Sequence, residues 1–340
     1  MTYEDVLKNA TKEVGPYCFA CAKCDGRACK NSIPGPGSKG SGTVAINNYN
    51  AWKKITLNLD TIYEQQEIST ESVLFGKKMN IPVFAGPIGG TKSHYGNKYS
   101  DSEYNSLLVK NCVNAGIVAF TGDGLNIEIM TEASKIIKAN AGLGIPTIKP
   151  WNLKTFKKRF DIVKKANPIA FAMDIDSVGL PFLKNQTPPA GVKSVKQLKE
   201  ITSWTKTPFI VKGIMTVKGA LKAIEAGASA IVVSNHGGRV LDYSEPTASV
   251  LHAISVAVSN KITVLVDGGI RDGSDVFKAL ALGADGVIIA RRFQTMVYGD
   301  KENGVSLYVE KLTEELKDTM KMCGANKIKD INIDMINFKS

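Results

Sequence analysis

The sequence predicts an α/β fold, a (β/α)8 TIM barrel with an N-terminal cysteine-containing cap segment. Three features lead there: apolar runs that recur eight times, helical stretches between them, and polar residues gathered where the runs end. Runs of Val, Ile and Ala without polar alternation suit strands buried on both faces, and helical crossovers make such strands parallel. Eight strand–helix units in about 210 residues match the length and rhythm of a closed barrel. A doubly wound open sheet is the alternative arrangement of the same units.

The runs are "IPVFAG" from residue 81, "GIVAFTG" from 116, "PTIKPW" from 146, "IAFAMDID" from 169, "PFIVKGI" from 208, "AIVVSN" from 230, "TVLVDGG" from 263 and "GVIIAR" from 286. Between them a helical period is legible. In "TVKGALKAIEAG", Val217, Ala220, Leu221 and Ile224 share a face, Thr216 is placed to cap the start, and Gly227 suits a left-handed end. "GSDVFKALALG" repeats the plan, with Ser274 as the expected cap and Gly283 as the stop.

Residues 1–70 precede this rhythm and form the expected cap, leaving 71–340 for the barrel and a C-terminal helix. The cap holds "CFACAKCDGRAC", a Gly-, Ser- and Pro-rich loop "SIPGPGSKGSG", and "INNYNAWKKITL", which offers apolar residues to pack onto the barrel. Near the other end, Leu307, Val309, Leu312 and Leu316 fall at helical spacing and predict a packing helix. Cys112 and Cys323 lie in helix-like contexts and read as core.

A chain of 340 residues, 44% of them hydrophobic, buries a sizeable core. No apolar run approaches the roughly 20 residues of a membrane span, and the opening "MTYEDVLKNATKEVG" carries charges where a secretory signal has its apolar stretch. The expectation is a cytoplasmic protein. The formal charge of +11 is spread over scattered lysines with no nucleic-acid-binding signature, so the basic balance points to small anionic ligands instead.

Four of the six cysteines, Cys18, Cys21, Cys24 and Cys29, stand within one short stretch. Thiolates so close repel one another unless a metal, a disulfide or protonation relieves the charge. The C-x2-C-x2-C opening matches part of an iron–sulfur ligand pattern, but the last gap is x4 without a following proline. Zinc, or free redox-active thiols, are the other readings.

The chemistry collects at the strand ends: Asp174, Asp176, Lys212, "SNHGGR", "DGGIR" and "ARR". A (β/α)8 barrel brings all such ends to one face, where its active site is built. In "DGGIRDGSD" and "IIARR", glycine backbones, a helix start near Ser274, Arg271 and Arg291 together suit a phosphate. Lys212 ends an apolar run and needs an anionic partner. His236 precedes two glycines and Arg239, so an imidazole able to take a proton neighbours a guanidinium able to hold a carboxylate.

"VKGI", "VVSNHGGRVLD" and "DGGIRDGSDVFKALALGADGVIIARR" resemble the FMN-dependent α-hydroxy acid oxidising enzymes, the glycolate oxidase and lactate oxidase group. The similarity is close over residues 205–295 and recognisable from about 45 through "STESVLFGKKMNIPVFAGPIGG". The resemblance implies FMN at the strand ends, a small anionic 2-hydroxy acid as substrate, a 2-oxo acid as product, and a homo-oligomer, a tetramer being common. It makes His236 the base, Asp176 its carboxylate partner, Arg239 the carboxylate clamp and Lys212 the group beside the flavin. Cofactor contacts are expected from Gly86, Pro87, Ile88, Thr121, Ser234, Gly237, Asp267, Gly268, Gly269, Arg271, Ala290 and Arg291. Lys149 and Asp174, expected against the cofactor as well, stand where the family has a glutamine and a threonine.

The chain also departs from that pattern. Trp151 replaces the tyrosine after the third strand, "SIPGPGSKGSG" contains no tyrosine, and "VGLPFLKNQT" has no second carboxylate-binding arginine. The electron acceptor stays open among oxygen, a quinone and a protein, and the iron–sulfur reading of the cysteines would favour onward transfer. Two other functions fit the residues: an FMN-dependent isomerase or reductase on another anionic substrate, and a redox-sensing flavoprotein.

Overall fold

In a computed structural model describing residues 1–184, 186–187 and 189–338, the barrel strands are β1 (Val83–Ala85), β2 (Val118–Thr121), β3 (Ile145–Ile148), β4 (Phe171–Asp174), β5 (Phe209–Ile214), β6 (Ala230–Val233), β7 (Thr263–Asp267) and β8 (Gly286–Ile289). Seven of the expected runs contain a strand whole, and the third strand begins at Ile145, one residue before its run. They close in the order β7–β8–β1–β2–β3–β4–β5–β6, each neighbour parallel, so the barrel has no free edge. All residues of β1, β2, β3, β4, β6 and β8 are buried, as their unbroken apolar runs require.

The helices follow the predicted plan with two corrections. Over Val217–Glu225 the Thr216 side chain accepts from the Gly219 N–H, and Gly227 takes the left-handed φ of 79° just past the end. The buried face is Ala220 and Ala223, however, and Leu221 is 46% exposed. Small residues let the helix lie close to the strands, which turns the larger Leu221 outward. In the helix Gly273–Ala281 the cap is Asp272, whose carboxylate accepts from the Asp275 N–H, and Ser274 instead pairs with Thr319 at 3.0 Å. The chain enters that helix two residues earlier than the serine suggested.

The N-terminal segment is fastened to the barrel by specific groups. Helix Tyr3–Glu13 lies on helix Arg291–Gly299 so closely that a Cβ on Gly299 would stand 2.0 Å from the Val6 carbonyl oxygen. Helix Thr43–Lys54 crosses the β7 exit, with Trp52 fully buried and its Nε1–H donated to the Gly268 carbonyl at 2.7 Å. Asn48 and Asn235 exchange side-chain hydrogen bonds of 2.8 and 3.0 Å. Gly269, with φ of 87°, leaves room for the Asn48 backbone, whose oxygen would meet a Cβ there at 2.4 Å.

A hairpin of Ser72–Leu74 and Lys77–Met79 precedes β1, and Thr56–Leu57 pairs antiparallel with Ile336–Asn337. The predicted C-terminal helix spans Gly304–Met322 and buries Val305, Tyr308, Val309, Leu312 and Leu316. Cys112 and Cys323 are buried as expected. No helix among the described residues is long and apolar enough to cross a membrane.

Trp52 joins the N-terminal segment to the barrel by burial and by a hydrogen bond, so Trp52→Ala should destabilise the fold by about 3–5 kcal/mol. Urea unfolding of the variant measures this. A loss under about 1 kcal/mol would mean that the segment contributes little to barrel stability.

Candidate active site

The C-terminal ends of the strands surround a cavity of about 790 Å³, within the usual range for a ligand site. Lys149, Asp174, Lys212, His236, Arg239, Asp267, Arg271 and Arg291 all line it. The convergence expected from strand-end chemistry is therefore present in space.

At its centre stands Lys212, the fourth of the six residues of β5 and buried. Its Nζ donates to Ser234 Oγ at 2.9 Å and pairs with Asp267 Oδ2 at 3.3 Å, and Ser234 donates to the same carboxylate oxygen at 2.9 Å. Burial works to lower the Lys212 pKa, but the Asp267, Asp176 and Asp174 carboxylates outweigh it and hold the ammonium above its ordinary range. Across the cavity Lys149 Nζ pairs with Asp174 Oδ2 at 2.5 Å.

His236 sits where β6 turns out of the barrel. It, Gly237 and Gly238 have φ of 56°, 62° and 81°, so a non-glycine residue is held in the left-handed region beside the cavity. The turn is held by the His236 N–H donating to Ser234 Oγ at 3.1 Å and by Nδ1 standing 3.1 Å from Asp176 Oδ1. Asp176 reaches that place because β5 shifts register between Lys212 and Ile214, where Gly213 has φ of 104° and a Cβ would stand 2.6 Å from the Asp176 side chain.

Burial, then the Lys212 and Lys149 ammoniums, hold the His236 pKa well below its usual value. Burial pushes the Asp176 carboxyl up, while the same two ammoniums pull it back. A neutral ring donating Nδ1–H to the Asp176 carboxylate keeps the Nε2 lone pair for a proton.

The other end of the cavity is built for an anion. Arg271 donates through Nε to the Cys24 carbonyl at 2.9 Å and through Nη1 to the Ile270 carbonyl at 2.6 Å, leaving Nη2 buried without a protein partner. Arg291 Nη1 is likewise unpartnered. The expected anion-binding helix start near Ser274 is corrected: its amides already serve Asp272, Asp275 and Glu315. The start of helix Arg291–Gly299 has no side-chain cap, so its first N–H groups are the ones left for an anion.

Behind those arginines lie the four clustered cysteines, around a void of about 20 Å³ shared with Arg291 and Thr295. The metal reading of Cys18, Cys21, Cys24 and Cys29 is not supported: among the described residues no three His, Cys, Asp or Glu side chains gather as a ligand group. Guanidiniums and protonation supply the charge relief instead. Burial works to raise the Cys24 thiol, but Arg271, Arg291 and Arg292 overcome it and bring it down to about 7. Burial pushes Cys18 up to about 12 and raises Cys21 and Cys29, which keeps those three as thiols at neutral pH.

Of the expected contact residues, Pro87, Ile88, Gly237, Gly268, Gly269 and Ala290 also face the cavity. Gly86, Thr121, Ser234 and Asp176 stand behind its wall. Gly86 serves close packing, since a Cβ there would meet Ala290 Cβ at 2.8 Å. Trp151 lies off the cavity too, donating Nε1–H to Asp123 at 2.9 Å beneath the Arg159 guanidinium. His94, Tyr95 and Asp123 line the cavity without having been foreseen. The scarcity of histidine, three in the chain, was the one signal that pointed to His94.

Residues 178–338 match the family model described as FMN-dependent dehydrogenase. A peroxisomal (S)-2-hydroxyacid oxidase of Arabidopsis thaliana is 47% identical over 138 residues, which is 41% of this chain and 38% of the relative. The match thus spans less than half of that relative. The 4-hydroxymandelate oxidase of Amycolatopsis orientalis is 27% identical over 348 residues, covering 89% of this chain and 94% of the relative. A crystal structure of mandelate oxidase superposes with a TM-score of 0.80 over 99% of this chain and 98% of its own, at 23% identity, which shows the shared fold.

The residues fit FMN on grounds of their own. Unpartnered Arg271 Nη2 and Arg291 Nη1 at an open helix start suit a phosphate, and the buried free oxygens Thr147 Oγ1, Asp174 Oδ1 and Asp267 Oδ1 are hydrogen-bonding atoms that a polar cofactor would satisfy. Residues 178–338 thus match the FMN-dependent dehydrogenase family model, and over most of its length the chain is similar to 4-hydroxymandelate oxidase.

Proposed function

We propose that the protein oxidises a 2-hydroxy acid to the corresponding 2-oxo acid with FMN as its cofactor. The observation that carries this reading is the neutral His236 imidazole, backed by Asp176 at 3.1 Å and sharing one cavity with Arg239. When bound, FMN supplies the two-electron acceptor for the hydride equivalent leaving the substrate α-carbon.

The chain's own residues do the rest. Arg239, half-buried at the cavity wall, holds the substrate carboxylate and so orients the α-carbon. His236 Nε2 takes the proton released in oxidation, and Asp176 Oδ1 steadies the resulting imidazolium through Nδ1. Lys212, fixed by Ser234 and Asp267, keeps a positive charge at the cavity floor. Arg271 and Arg291 hold the cofactor phosphate, and Leu125, Ile129, Leu180 and Phe182 give the cavity an apolar wall.

The reading is tested by mixing the anaerobic holoprotein with a panel of 2-hydroxy acids and following loss of the flavin's visible absorbance. Bleaching supports it and identifies the substrate; bleaching by NADH or NADPH alone, with every hydroxy acid inert, overturns it. In the same assay His236→Ala should retain FMN but slow reduction by about 10² to 10⁴-fold, the usual worth of a positioned general base. A variant as fast as the parent would make the histidine structural.

The acid limb of kcat/KM reports the free base. Protonated His236 is inactive, and its pKa lies well below the ordinary 6.5, so activity should stay level as pH falls through 6.5 and decline only at lower pH. A pH profile that is half-maximal at 6.5 contradicts the desolvated setting. Arg271→Ala and Arg291→Ala should each lower FMN occupancy on purification, measured by the ratio of flavin to protein absorbance. Full occupancy and unchanged affinity in both would place the phosphate elsewhere.

A further inference from the structure

One wall of the cavity contains an unresolved pairing of donors. Gly35, in the loop before helix Thr43–Lys54, holds two side chains at once: its N–H donates to His94 Nδ1 at 2.9 Å, and its carbonyl accepts from Arg239 Nη1. A ring nitrogen that accepts carries no proton, so the neutral imidazole has its hydrogen on Nε2. Arg239 Nη2 stands 3.4 Å from that Nε2. A guanidinium has no lone pair to offer, so two N–H groups face the same space without an acceptor between them.

Protonating His94 does not relieve this, because both ring nitrogens would then be donors. Burial, followed by the Arg239 and Lys149 charges, holds its pKa down to about 4, so the ring is neutral at physiological pH. His94 is only 8% exposed, and it and Arg239 both line the cavity. Two converged donors, one charged and one neutral, are complementary to an anion with oxygens side by side.

We propose that His94 is a substrate-binding residue whose Nε2–H completes, with Arg239 Nη2, a two-donor clamp for the substrate carboxylate. The inference rests on the reading of this cavity as a 2-hydroxy acid site and names a residue that selects the acid over its neutral derivatives. Gly35 is the positioning residue for the clamp. Its φ is 130°, and an added Cβ would stand 2.7 Å from Tyr17 Cβ and 2.9 Å from the Ser32 carbonyl oxygen, so the loop can offer both backbone groups only as glycine.

The test is calorimetric titration of the FMN-loaded protein with pyruvate and benzoylformate and with their methyl esters, for the parent, His94→Ala and His94→Gln. A hydrogen bond to a charged group implies that His94→Ala weakens acid binding by about 10- to 100-fold. The esters should bind alike to parent and variant, and His94→Gln, which keeps an N–H donor, should recover part of the acid affinity. Unchanged acid affinity in His94→Ala, equal weakening for acids and esters, or no acid binding by the parent overturns the clamp. A parent that binds acids through His94 yet is bleached by no hydroxy acid would keep the clamp and remove the oxidation reading. Bleaching with acid affinity indifferent to His94 would do the reverse.

Discussion

Lys212 is an ammonium within a strand whose other side chains are apolar, and in a closed barrel its side chain opens only to the cavity. Its charge is tolerable there only with anionic neighbours, because unpaired burial costs far more than folding can supply. Asp267 from β7, Ser234 from the end of β6, and Asp174 and Asp176 at and after β4 provide them. Much of the site follows from that balance. The carboxylates converge on the floor, Lys149 compensates Asp174, and the remaining positive field with burial keeps His236 neutral and able to accept a proton.

The segment before the barrel takes part in the same electrostatics. Arg271, Arg291 and Arg292 stand beside the cysteine loop, Arg271 bonded to the Cys24 carbonyl and Arg292 to those of Cys21 and Ala22. These guanidiniums stabilise the Cys24 thiolate, and two of them keep a free N–H directed to the anion end. Clustered thiols and an anion site are thus two consequences of one arginine cluster. A little further along, Gly35 sets the orientation of both His94 and Arg239 from the opposite wall.

The strands and the principal charged residues were legible because they are local features. An apolar run of four to six residues ending in Lys, Asp or Asn–His identifies both a buried strand and a mouth residue in one window, as at Lys212, Asp267 and His236. Errors arose where two local solutions were equally good. Asp272 and Ser274 are both competent caps, and the choice fell to Asp272 because Ser274 found Thr319 on the C-terminal helix. Leu221 shares a stripe with Val217 and Ile224, yet the close approach of Ala220 and Ala223 to the strands turned it outward. Trp151 matches a substrate-binding position by alignment but is held away from the cavity by Asp123 and Arg159.

Residue order was enough for the barrel, its parallel sense and the charged groups at several strand ends, since periodicity and strand-end composition are read over a few neighbouring positions; His94, Tyr95 and Asp123 escaped it. Partnerships were a different matter. Asp176 and His236 are 60 residues apart, His94 and Gly35 59, and the contacts between Arg271 and Cys24 span 247. Such pairs exist only once closure of the sheet and docking of the N-terminal segment bring distant loops together. The state of each group then depends on that neighbourhood: a neutral imidazole at His236 and a thiolate-prone Cys24 are set by desolvation and nearby charge, and the N–H on His94 Nε2 by the Gly35 amide on Nδ1, none of which a local window of sequence contains.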